Sequence, residues 1–145
     1  MQVDFWQLSH DPVERVVALI AERTRAANEK LLVVSASDEQ RASVSRTLWE
    51  AKPEAFLANG EATAPHADRQ PILLSKSCEA VNGARYIVLA DGAWRDGVEG
   101  FERAFLLFDE AGTAAARAIW RRFDGREDVR RSHFAQQEGK WVKKA

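Results

Sequence analysis

Leu31-Leu32-Val33-Val34-Ser35-Ala36-Ser37-Asp38-Glu39-Gln40 decides the fold. Four apolar residues in a row are too few for a helix and suit a strand buried on both faces. Ser37 with Gln40 three residues later then marks a helix start, because a hydroxyl can accept from the backbone N–H of the first turn. A two-sided strand running straight into a capped helix is the repeating unit of a parallel α/β sheet.

Upstream, Val3–Leu8 reads as a first strand. Asp11 offers an N-cap oxygen, Pro12 suits the first helical position and Glu14 occupies the capping-box position. Val13, Val16, Val17 and Ile20 then give a helix its buried stripe, which runs out near Asn28. Downstream, Val44 and Leu48 form the stripe of the second helix, and Pro53 sets its limit. Leu57 to Gln70 is small and polar and reads as a long surface loop. Ile72–Leu74 and Tyr86–Leu89 are further buried strands, Asp91–Gly100 is a Gly-rich connection carrying Trp94, and Phe105–Phe108 is read as the last strand of the sheet. Arg130 to Ala145 is a polar, basic tail with Phe134 and Trp141 as its large apolar anchors. The expectation is one α/β domain over 1–145, a three-layer sandwich on a largely parallel sheet.

The chain has 145 residues, 46% hydrophobic and 30% charged, with 21 basic against 22 acidic side chains and a formal charge of −1. No global positive field draws it to nucleic acid. Direct DNA contact through Arg130, Arg131, Lys140, Lys143 and Lys144 would have to be local. Cys78 is the single cysteine and cannot form an internal disulfide. The N-terminus has no secretion-signal pattern, and no apolar run is long enough to span a bilayer, so a reducing cytoplasm is the expected compartment.

An α/β layout invites a nucleotide, yet the first strand enters its helix through Gln7-Leu8-Ser9-His10-Asp11-Pro12, which contains no glycine. Neither GxGxxG nor GxxxxGK[ST] occurs, so the fold is expected to be nucleotide-binding-like without a phosphate loop. Ser35-Ala36-Ser37 could hold an anion, though a structural cap explains it as well. His10, His66 and His133 lack metal-ligand spacing, and a Cys78 nucleophile with one of them as base is only weakly signalled. No metal or cofactor is expected. A small α/β enzyme, a hydrolase or nucleotide-dependent protein with an unrecognised site, is the alternative class.

Two segments carry unusual aromatics. In Phe108-Asp109-Glu110-Ala111-Gly112-Thr113-Ala114-Ala115-Ala116-Arg117-Ala118-Ile119-Trp120-Arg121-Arg122-Phe123, a strand end and turn lead into a helix. Its 100° advance puts Ala116, Ile119 and Phe123 on the core side. Arg117 and Arg121 stack one turn apart with Trp120 on the border, a pattern able to receive something both acidic and apolar. The same pattern also describes a Trp at a core edge beside two solvated arginines. In Leu48-Trp49-Glu50-Ala51-Lys52-Pro53-Glu54-Ala55-Phe56-Leu57, Trp49 turns about 100° away from the core-facing Leu48. Trp49 and Phe56 either pack under the following loop or form a docking surface.

Taken in order, the early aromatic strand, LWxxxPxxF at 48–56, the FDE turn at 108–110, ARxxWR at 116–121 and GxW at 139–141 resemble the chi subunit of bacterial DNA polymerase III along the whole chain. That resemblance implies a non-catalytic clamp-loader accessory protein that links the holoenzyme to single-stranded-DNA-binding protein. It does so by gripping that protein's acidic C-terminal tail, which ends in phenylalanine. The family's tail-binding residues fall on Arg117, Trp120 and Arg121. Trp49 and Phe56 match its aromatic surface for the psi subunit or a competing helicase. Two positions depart from the family: Phe56 is followed by Leu57-Ala58-Asn59-Gly60 rather than Pro-His, and Trp120-Arg121 stands where Tyr-Lys is common.

Overall fold

The computed structural model describes residues 1–51 and 57–145. Eight strands form one sheet: β1 (Gln2–Gln7), β2 (Leu31–Val34), β3 (Asn59–Glu61), β4 (Ile72–Ser75), β5 (Tyr86–Leu89), β6 (Arg103–Phe108), β7 (Arg130–Gln137) and β8 (Lys140–Lys143). Their order across the sheet is β3-β4-β2-β5-β6-β1-β7-β8. Every pairing is parallel except the β7–β8 hairpin. Among the described residues three α-helices complete the fold: α1 (Val13–Ala26), α2 (Asp38–Glu50) and α3 (Thr113–Arg122). The α/β class, the three layers and the largely parallel sheet are as the sequence predicts.

Alternation along the strands divides the core. Trp6, Leu31, Val33, Ile72, Leu74 and Leu107 pack with Val16, Val17 and Ile20 of α1 and with Val44 and Leu48 of α2. The intervening residues Val3, Phe5, Leu32, Val34, Leu106 and Phe108 pack on the other side with Ala116 of α3 and with Phe123 just after it. β2 and β4 are buried at every position because α1 and α2 cover one face and residues such as Ala84 and Val98 of the connecting segments pack on the other.

Local chemistry sets the element ends. Ser37 caps α2 as expected, its hydroxyl accepting from the Gln40 N–H at 3.1 Å. α1 differs: Pro12 holds the cap position, and no side chain caps the helix. Asp11 instead accepts from Gln136 Nε2 at 2.8 Å. The stretch 57–70 is not loop throughout. Asn59–Glu61 adds the edge strand β3, and Ala67–Arg69 forms a 3₁₀ turn. Asn59 is buried there, donating to the Leu57 carbonyl and accepting from Ser45.

Phe105–Phe108 is not the last strand. The basic tail folds back as β7 and β8, and β7 lies parallel to β1, with Val3 opposite Arg131 and Phe5 opposite His133. Trp141 and Phe134 pack on Trp6, with ring centroids 4.6 and 5.4 Å away, which anchors the hairpin. Among the described residues, no helix is long and apolar enough to cross a membrane.

Candidate functional site

A groove of about 380 Å³ opens on the α3 face of the sheet. Phe5 and Gln7 of β1, Phe108 of β6 and His133 of β7 line it, together with Thr113, Ala116, Arg117 and Trp120 of α3, and Ala145. Register explains the floor. Phe5, Gln7 and His133 alternate onto the same face as Val3, and α3 is short, leaving the β7 side of that face uncovered by helix. Before the helix, Asp109 accepts from the Gly112 N–H at 3.0 Å, fixing the turn from β6 into α3.

Trp120 is half-buried and meets Phe5 edge to face at 5.1 Å between centroids. Arg117 is exposed on the groove wall and forms no ion pair among the described residues. Arg121 is exposed too but does not line the groove. The guanidinium that lies over the indole belongs to Arg131, whose Cζ is 4.6 Å from the ring centroid. The groove thus brings Arg117 and Trp120 together and leaves Arg121 outside. Sequence reading missed Gln7 and His133 in the groove, and Arg131 over the indole, because all three come from strands rather than from α3.

Gln7 Oε1 and His133 Nε2 lie 3.1 Å apart on the floor. Burial, reinforced by the nearby Lys144, holds the His133 imidazole below its ordinary pKa, so it is neutral at pH 7. The groove therefore offers a cation on its wall that is unpaired among the described residues, an aromatic edge, and neutral hydrogen-bonding groups beneath. Such a lining accepts a carboxylate together with an apolar ring.

Trp49 is 58% exposed on α2, on the opposite face of the sheet. Phe56, its expected companion, lies outside the described residues.

The strand ends where an α/β fold would hold a phosphate are already occupied by the chain itself. His10 and Asp11 both donate their N–H groups to Gln136 Oε1, at 3.2 and 3.1 Å. At the end of β2, the Ala36 N–H goes to Asp91 and the Ser37 N–H to Ser35 Oγ. Burial pushes the Asp91 carboxyl up, but Arg95 and the Ala36 and Ala93 N–H groups outweigh this and hold it below the usual range. Burial also raises the Cys78 thiol, which disfavours a reactive thiolate. No cluster of three metal-binding side chains occurs among the described residues.

The topology is that of an open nucleotide-binding-like α/β sheet whose anion-binding turns are internally satisfied and whose open groove is cationic and aromatic. A family model for the DNA polymerase III chi subunit, HolC, matches residues 1–128, and the chain belongs to that family. It is accordingly a replication accessory subunit of DNA polymerase III. No curated protein matches the chain. Residues 129–145, which contribute His133 and Arg131, lie beyond the matched stretch.

Proposed function

We propose that this subunit works without catalysis, as one domain over 1–145, linking the clamp-loader complex to single-stranded-DNA-binding protein. The groove grips that protein's acidic C-terminal tail. The juxtaposition of Arg117, unpaired among the described residues, with a half-buried Trp120 on an open groove carries this reading. The terminal carboxylate pairs with the Arg117 fork, the terminal phenyl ring packs by Trp120, and upstream acids approach Arg121 from outside. Trp49, on the far face, serves a second contact together with Phe56, with a psi subunit or a competing helicase. The internally satisfied turns after β1 and β2 favour this interaction role over the alternative of a nucleotide-dependent enzyme.

Charge-assisted hydrogen bonds are worth about 1.5–3 kcal/mol, so Arg117→Ala weakens tail binding roughly tenfold to a hundredfold. Calorimetric titration with an acidic peptide ending in Phe tests this. Absence of binding to the wild type, or an unchanged affinity in Arg117→Ala, would overturn the reading. A shift in melting temperature on adding ATP would favour the enzyme instead.

A further inference from the structure

Trp120 is held from two sides. Phe5 meets its ring edge-on, and the Arg131 guanidinium lies over it. Arg131 comes from β7, directly opposite Val3 in the sheet. One of its nitrogens, Nη1, donates to the Trp120 carbonyl, and Nη2 pairs with Asp124 at 2.6 Å. The Trp120 carbonyl belongs to the last turn of α3, where it accepts from the Phe123 N–H at 3.3 Å and where cations are favoured.

A planar guanidinium can stack on an indole and hold a carbonyl and a carboxylate at once; an ammonium cannot. We propose that Arg131 is the positioning residue of the groove: by fixing the backbone and the ring of Trp120 together, it gives the site its preference for a ligand ending in an aromatic ring. The inference rests on the reading of the groove as a receptor for an acidic chain end. Because Arg131 covers one face of the indole, a ligand ring packs only against the part left facing the groove. With Arg131 replaced, the indole swings among rotamers, and the ring contact is lost while the Arg117–carboxylate contact persists. The charge of Arg131 is already engaged by Asp124, so its contribution is geometric rather than a general attraction for anions.

Two acidic peptides, identical except for a terminal Phe or Ala, are titrated against the full-length wild type, Arg131→Ala and Arg131→Lys, with thermal melts in parallel. The wild type prefers the Phe peptide roughly tenfold, the size expected for a partly buried phenyl ring. Both variants narrow that preference to about threefold or less, and Arg131→Lys binds the Ala peptide as the wild type does. If Arg131→Lys keeps the full preference, or if either variant weakens both peptides by one common factor, the inference is overturned and the groove's role stands. If the wild type binds neither peptide, the groove reading falls and takes this inference with it. Arg131→Lys retains the charge and most of the stem, so it provides the answer should Arg131→Ala melt too low for titration.

Discussion

His133 of β7 reaches across to Gln7 of β1, Nε2 to Oε1 at 3.1 Å, and this one hydrogen bond spans the floor of the groove. The ring lies 6.2 Å from Phe108, with Lys144 beside it and Arg117 on the wall above.

This arrangement has a pH signature. An unfolded histidine titrates near about 6.5, whereas burial and Lys144 keep folded His133 below that value. Between the two values the unfolded chain binds more protons, so stability is lost as pH falls through that window and fully retained above it. Urea unfolding at pH 5.5 and 7.5 should show a larger acid-side loss in the wild type than in His133→Gln. Equal losses would mean that His133 is not the group responsible.

Arg117 and Arg121 should separate in effect, because only Arg117 lines the groove. Arg121→Ala should weaken the Phe-ended peptide by about threefold or less, well short of the Arg117→Ala effect. Its contribution should vanish first as salt rises, since an exposed charge is screened over about 10 Å at 0.1 M. Calorimetry of both variants at low and high salt checks the order.

Trp49 sits across the sheet from the groove with more than half its surface in water. Trp49→Ala should change stability by no more than about 0.5 kcal/mol and leave the tail-peptide titration unaltered, while weakening capture of a psi-type partner. Loss of peptide binding in this variant would show that the two faces are coupled.

Asp4 is fully buried, and its carboxylate accepts from Arg103 Nη2 at 2.6 Å and from Gln2 Nε2 at 2.7 Å. Removing the cation strands that charge in the interior. Arg103→Ala should therefore cost about 2 kcal/mol of stability, tempered by the partial exposure of Arg103. Asp4→Asn, which keeps the shape without the charge, should recover part of that loss in the Arg103→Ala background, as read by denaturant titration.

Legibility in the sequence tracked burial. β2 announces itself because both its faces are covered, so every position is apolar. β7 reads Arg-Arg-Ser-His-Phe-Ala-Gln-Gln, polar enough to pass for a tail, because the sheet around it is thinly covered and only Ser132 is buried. β3 hides in Asn-Gly-Glu, a sequence that looks like a turn. For the site, helical periodicity could place Arg117 beside Trp120 but could not supply the strand residues that meet them. A period-two pattern links Arg131 and His133 to one face, and that signal was available, but only parallel pairing with β1 brings that face under α3.

The first strand of the chain occupies an interior slot between β6 and β7. During synthesis, Val3 and Phe5 therefore emerge long before the segments that flank them, and β1 cannot be sealed on both sides until residues near 137 have left the ribosome. Such long-range pairing slows folding and leaves a sticky β edge waiting. A ribosomal stall or premature stop near residue 129 would release a chain whose aromatic first strand is open to intermolecular pairing.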